Sequence, residues 1–75
     1  MDRVYIVSTG EKGEGSNIVS IRYNLEDAKR DAFDVQCHSA YHTGWSTPDE
    51  KQRKYVIFYA SNDIDFVKIE RHKVQ

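Results

Sequence analysis

The sequence predicts a small α+β protein, an antiparallel sheet of about five strands in the order β-β-α-β-β-β with one helix covering one face. Three observations carry that reading. Only residues 24–37 show helical periodicity, and runs rich in β-branched and aromatic residues flank them on both sides. The connections within each flank are short and hold turn-forming residues, which implies antiparallel hairpins. One helix cannot cover five strands, so part of the second sheet face is expected to stay open.

The first strand is expected over 3–9, Arg-Val-Tyr-Ile-Val-Ser-Thr. A hairpin loop over 9–16 follows, with Gly10, Gly13 and Gly15 close together. It lacks the Gly-Lys-Ser/Thr ending of a phosphate-cradling loop, and a strand rather than a helix comes next. That second strand, over 17–23, sets Val19 and Ile21 on one face and Ser20 and Arg22 on the other, the pattern of a sheet with one wet face.

Asn24 is a good N-cap for the helix, because its side-chain oxygen accepts from a first-turn amide, and Asp27 is placed to return the bond as a shortened capping box. Glu26 and Asp27 also put negative charge at the positive end of the helix dipole. At about 100° per residue, Leu25, Ala28, Ala32 and Val35 form a narrow apolar stripe whose small alanines allow close approach to a sheet. Lys29, Phe33 and Gln36 line one border of that stripe, with Arg30 further round, and Asp31 and Asp34 lie on the other side.

Beyond the helix, residues 39–45 are expected as a third strand with Tyr41 and Trp45 as its aromatics. A polar connection broken by Pro48 then spans 46–53. A loop running the whole way from 37 to 54 would be unusually long for so small a domain. Residues 55–60 form the strongest strand candidate, 61–63 supply turn chemistry, and 65–71 alternate as the last strand.

Seventy-five residues make one domain (1–75) with one modest core. The net charge is −1, with 11 Lys+Arg against 12 Asp+Glu, which argues against a dedicated or sequence-specific nucleic-acid binder. No apolar run reaches bilayer length and no signal peptide is visible, so no membrane association is expected. A single cysteine, Cys37, precludes an internal disulfide and suits a reducing cytoplasm.

Catalytic chemistry finds little to work with. His38 and His42 have a metal-like spacing, but on a strand they sit too far apart to chelate easily, and no metal or other cofactor is expected. A cysteine nucleophile needs a lowered pKa, whereas the C-terminal end of a helix dipole raises it, so Cys37 reads as a small buried helix-end residue. The carboxylates are scattered and explained as solubilising charge. The chain reads as a binding module, not an enzyme.

Tyr5, Phe33, Tyr41, Trp45, Tyr55 and Tyr59 are more aromatics than so small a core obviously requires, and aromatics with arginine dominate binding hot spots. Lys29, Arg30, Arg53 and Lys54 form a positive patch if the helix border and the loop before residue 55 lie together, suited to a phosphate-lined groove or an acidic protein surface.

The start Val4-Tyr-Ile-Val7, then Leu25-x-x-Ala28-Lys-Arg-x-Ala32, then Gln36-Cys37, resembles a family of very small phage anti-CRISPR proteins that act on type I, Csy-kind, RNA-guided surveillance complexes. The resemblance covers roughly residues 3–38. It implies a small antiparallel sheet with one helix, and stoichiometric docking on the repeated backbone subunits that obstructs pairing of target DNA with the guide. By matching positions it implies Tyr5, Lys29, Arg30 and Gln36 as contact residues. This chain departs from the family pattern at Asp34, where the family has a lysine, and at Asn62, Asp63 and Asp65, where the family has basic residues near the final hairpin.

The resulting expectation is a phage-encoded inhibitor in the host cytoplasm, with a partner-binding surface of Tyr5, Lys29, Arg30, Phe33, Gln36, Tyr41 and Trp45. The alternative is a small phage or bacterial accessory protein that binds a different host defence protein, or forms a homodimer through its open sheet face.

Overall fold

The computed structural model describes residues 3–38, 45 and 55–74. The elements are β1 (Arg3–Glu11), β2 (Asn17–Arg22), α1 (Leu25–His38), β3 (Val56–Ser61) and β4 (Asp65–Lys73). All pairings are antiparallel and the strand order is β2-β1-β4-β3. The first and last strands therefore form the centre, and two hairpins meet along β1 and β4. Among the described residues the sheet has four strands, not the five expected. The additional strand expected over 39–45 lies outside the described residues except for Trp45, which belongs to no strand and packs against the core.

Local chemistry accounts for the turns. Gly13 and Gly15 adopt φ of 83° and 88° in the β1–β2 connection, a conformation that disfavours other residues. At the other hairpin, Asn62 Oδ1 accepts from the amides of Ile64 (2.9 Å) and Asp65 (2.6 Å), the Asx turn that Ser61-Asn-Asp63 foreshadows. The Lys12 amide donates to the Ile64 carbonyl at 2.7 Å and ties the two turns together at one end of the sheet.

Helix α1 lies over β1, β2 and β4. Asn24 Oδ1 accepts from the Glu26 amide at 2.7 Å and from the Asp27 amide at 3.4 Å, so the expected N-cap is present. The Asp27 carboxylate instead faces Arg30, at 3.5 Å. Ala28 and Ala32 have no exposed surface and pack with Val7, Phe58, Ala60, Val67 and Ile69, while Tyr5, Val35, Trp45 and Ile57 border that core. Directly opposed residues on neighbouring strands share a face. Val7, opposite Ile69 and Ser20, thus fixes which face of each strand meets the helix.

That register reverses the expectation for β2. Ser20 and Arg22 turn toward the helix, where both are held by Asp31, Val19 borders the same recess, and Ile18 and Ile21 are left outside. A register shift at Val7/Ser8 leaves Val19 without an opposing residue, which puts Ile18 and Ile21 together on the open face, opposite Ser8 and Ile6.

The open face also holds a charged row on β4. Glu70 lies 3.3 Å from Lys68 and 3.2 Å from His72. Burial pushes the Glu70 carboxyl up, but the bonds from His72 and Lys68 outweigh it and leave its pKa lowered. Tyr55 stacks on His72 with ring centroids 4.8 Å apart, and Tyr59 on Phe66 at 5.8 Å. Both tyrosines are thus part of a stacked layer opposite the helix. No helix among the described residues is long and apolar enough to cross a membrane.

Candidate partner-binding surface

The two flanks of the helix differ in chemistry because of which sequence positions reach them. On the flank beside β2, Asp31 accepts from Ser20 Oγ at 2.6 Å, from Arg22 Nε at 2.6 Å and from a terminal Arg22 nitrogen at 3.2 Å. The bonds from Arg22 and then Ser20 hold the Asp31 carboxyl below its ordinary pKa, and the same bond raises that of Arg22. This flank is a neutralised clamp between helix and sheet.

The opposite flank is different. Arg30, on the outward back of the helix, has 72% of its side-chain surface exposed and pairs with Asp27 at 3.5 Å, three residues back on the same helix. Such an exposed pair is weak and is exchanged easily for an external anion. Phe33 is 62% exposed one turn on, and Lys29 and Gln36 are half-buried. Phe33, Gln36, Cys37 and Trp45 surround a shallow recess of about 270 Å³. The structure therefore brings Phe33, Gln36 and Trp45 together, with Lys29 and Arg30 one turn nearer the helix start.

Tyr5 belongs to a different neighbourhood. It is half-buried on β1, on the helix-side face, opposite Arg22 on one strand and Arg71 on the other. One row further out, Arg3 pairs with Lys73. Among the described residues no carboxylate lies within ion-pair distance of Arg3, Arg71 or Lys73. Like charges directly opposed are unfavourable in an isolated sheet, so these rows raise the potential around Tyr5. Sequence reasoning missed these cations. The alternation of Arg71 and Lys73 is visible, but only the pairing of the first strand with the last brings them to Tyr5. The expected contributors Arg53 and Lys54, and the aromatic Tyr41, lie outside the described residues.

Cys37 corrects an expectation. It is exposed rather than buried, because it falls one turn after Phe33, on the flank that turns away from the sheet. His38 Nδ1 lies 2.8 Å from the Asp34 carbonyl, and since a carbonyl can only accept, Nδ1 carries the proton. No group of three or more His, Cys, Asp or Glu side chains is arranged to hold a metal among the described residues, and His42 lies outside them.

Comparison with protein-family models, with curated proteins and with solved structures yields no match to this chain.

Proposed function

We propose that this chain is a phage-encoded inhibitor that binds a type I CRISPR surveillance complex stoichiometrically in the host cytoplasm, docking on its repeated backbone subunits and blocking target DNA recognition. The observation that carries the proposal is the helix flank of Arg30 and Phe33. An exposed guanidinium, an exposed aromatic ring and a recess beside Trp45 have the composition of a docking surface. The identity of the target rests on the sequence resemblance, whose contact positions are Tyr5, Lys29, Arg30 and Gln36. The flank acts by binding alone: Arg30 and Lys29 attract an anionic surface, and Phe33 fills an apolar depression in it.

The acidic departures at Asp34, Asp63 and Asp65 are compatible with this reading, because Asp34 lies on the β2 side of the helix and Asp63 and Asp65 at the turn end of the sheet. The test is a double charge reversal, Lys29→Glu with Arg30→Glu, assayed for binding to a purified Csy-kind complex and for protection of phage in CRISPR-positive cells. Binding and protection should both be lost while the melting temperature moves by only a few degrees. Full inhibition by the folded double variant would refute this surface, and absence of binding by the unaltered chain would refute the target.

A further inference from the structure

The end of the sheet where β1 starts and β4 finishes gathers positive charge on one face. Tyr5 lies on the helix-side face, and by strand alternation so do Arg3 on β1 and Arg71 and Lys73 on β4. Arg71 is opposite Tyr5 and Lys73 opposite Arg3. The two rows are thus about 7 Å apart along the strands, and the residues within a row about 5 Å apart across them. Arg3 and Lys73 are exposed and Arg71 is half-buried. Among the described residues none of the three has a carboxylate within ion-pair distance. Tyr23, 75% exposed, follows Arg22 at the same end, where the chain leaves β2 for the helix.

The acids near this end do not cancel that charge. Asp31 is taken up by Arg22 and Ser20, so Arg22 and Asp31 count together as neutral. Asp27 and Arg30 offset each other in the same way. Glu26, exposed in the first turn of the helix, is the carboxylate left over, and it faces the positive end of the helix dipole. Among the described residues of this end, three cations therefore stand against one acid. A net charge of −1 is compatible with such a patch. Glu11, Glu14, Asp63 and Asp65 gather at the opposite end, with Lys12 among them, and Glu70 is bonded to Lys68 and His72 on the open face.

We infer that this end of the sheet binds single-stranded nucleic acid without sequence preference, with Arg3, Arg71 and Lys73 contacting phosphates and Tyr23 stacking against a base. Like charges held side by side repel in the free chain, and a phosphate that accepts from both relieves the repulsion. Two of the three cations are arginines, whose planar forks match phosphate oxygens in pairs. The exposed tyrosine selects a nucleic-acid strand over an acidic protein surface, because every base offers a face to stack on and a row of carboxylates offers none. Stacking also selects a single strand, whose bases are free to leave their neighbours. With only three cations the affinity is low, on the order of 10⁻⁴ M at about 50 mM salt. The contact uses no residue of the helix flank and needs no CRISPR complex, so its failure and that of the function proposed above are separate results.

Fluorescence anisotropy of a short labelled oligothymidylate, titrated with the full chain at several salt concentrations, tests the inference. Three phosphate contacts, each worth about 0.7 in slope on a single strand, give a fall of log K against log salt with slope about −2. Arg3→Gln with Lys73→Gln, both at exposed positions, should reduce the slope to about −0.7 with the circular dichroism unchanged. Lys12→Gln, at the opposite end of the sheet, should leave the slope as it is. Tyr23→Ala should weaken binding at least about fivefold at every salt concentration without altering the slope. An oligoglutamate of the same length should displace the oligonucleotide poorly. Equal displacement by it would assign the patch to acidic protein surfaces and overturn the proposal. No binding at millimolar protein in low salt, or a slope that the double glutamine variant leaves unchanged, overturns it as well.

Discussion

Replacing Ile69 with alanine measures how much of this small fold hangs on the layer between helix and sheet. Among the described residues Ile69 is the largest fully buried side chain, on central strand β4, opposite Val7 on one side and Phe58 on the other. Truncation to alanine deletes three carbon groups, worth about 0.8 kcal/mol each in lost burial, or about 2.4 kcal/mol together. A residual void of roughly 50 Å³ adds about 1 kcal/mol at some 24 cal/mol per Å³. The expected loss is therefore about 3–4 kcal/mol. A 75-residue domain has on the order of 4–11 kcal/mol in total, so the variant falls near the edge of folding. At about 4–8 °C per kcal/mol, its melting temperature should drop by roughly 12–30 °C.

Urea denaturation followed by circular dichroism gives the free energy directly. Two companions make the measurement decisive. Ile69→Val should cost only about 1 kcal/mol, and Ile18→Ala, on the exposed edge, should stay within about 0.5 kcal/mol of the unaltered chain. An Ile69→Ala loss below about 1 kcal/mol, or an Ile18→Ala loss as large as that of Ile69→Ala, would mean that the apolar faces have been assigned the wrong way round.

Two further outcomes follow from single contacts. The Asp31 carboxyl has a lowered pKa in the folded chain, so its contribution is fully present above the unfolded value of about 4 and is lost as pH falls through the folded value. Asp31→Asn should therefore melt lower at pH 7 and lose less stability than the unaltered chain between about pH 4 and pH 2, as thermal melts across that range will show. At Gly10, an added Cβ would run into the backbone oxygen of Gly15, so Gly10→Ala must displace the β1–β2 turn. A cost of about 1–3 kcal/mol in denaturant titration is expected, and an unchanged midpoint would show that the turn gives way freely.

Much of the local structure is legible in the residues themselves. Asn24 with the stripe of Leu25, Ala28, Ala32 and Val35 marks a capped helix that approaches a sheet closely, and the helix lies where that pattern puts it. Ser61-Asn-Asp63 marks a turn because Asn62 can satisfy two amides with its own side chain. The exposed place of Phe33 also follows from helical spacing. These features depend on contacts only a few residues apart, and the side chains that make them are adjacent in the chain.

What local pattern could not decide depends on long-range pairing. Alternation in β2 shows two unlike faces, but not which one meets the core. Asp31, nine residues on from Arg22, decides it by drawing Ser20 and Arg22 inward and leaving Ile18 and Ile21 outside. The cations beside Tyr5 come together only because β1 pairs with β4, joining residues at opposite ends of the chain. Sequence alone therefore determined the helix, its cap, the turns and the antiparallel α+β class, because these are short-range choices of backbone and side chain. Tertiary structure alone decided which strand faces meet the helix and which cations gather beside Tyr5, because those follow from which distant strands become neighbours.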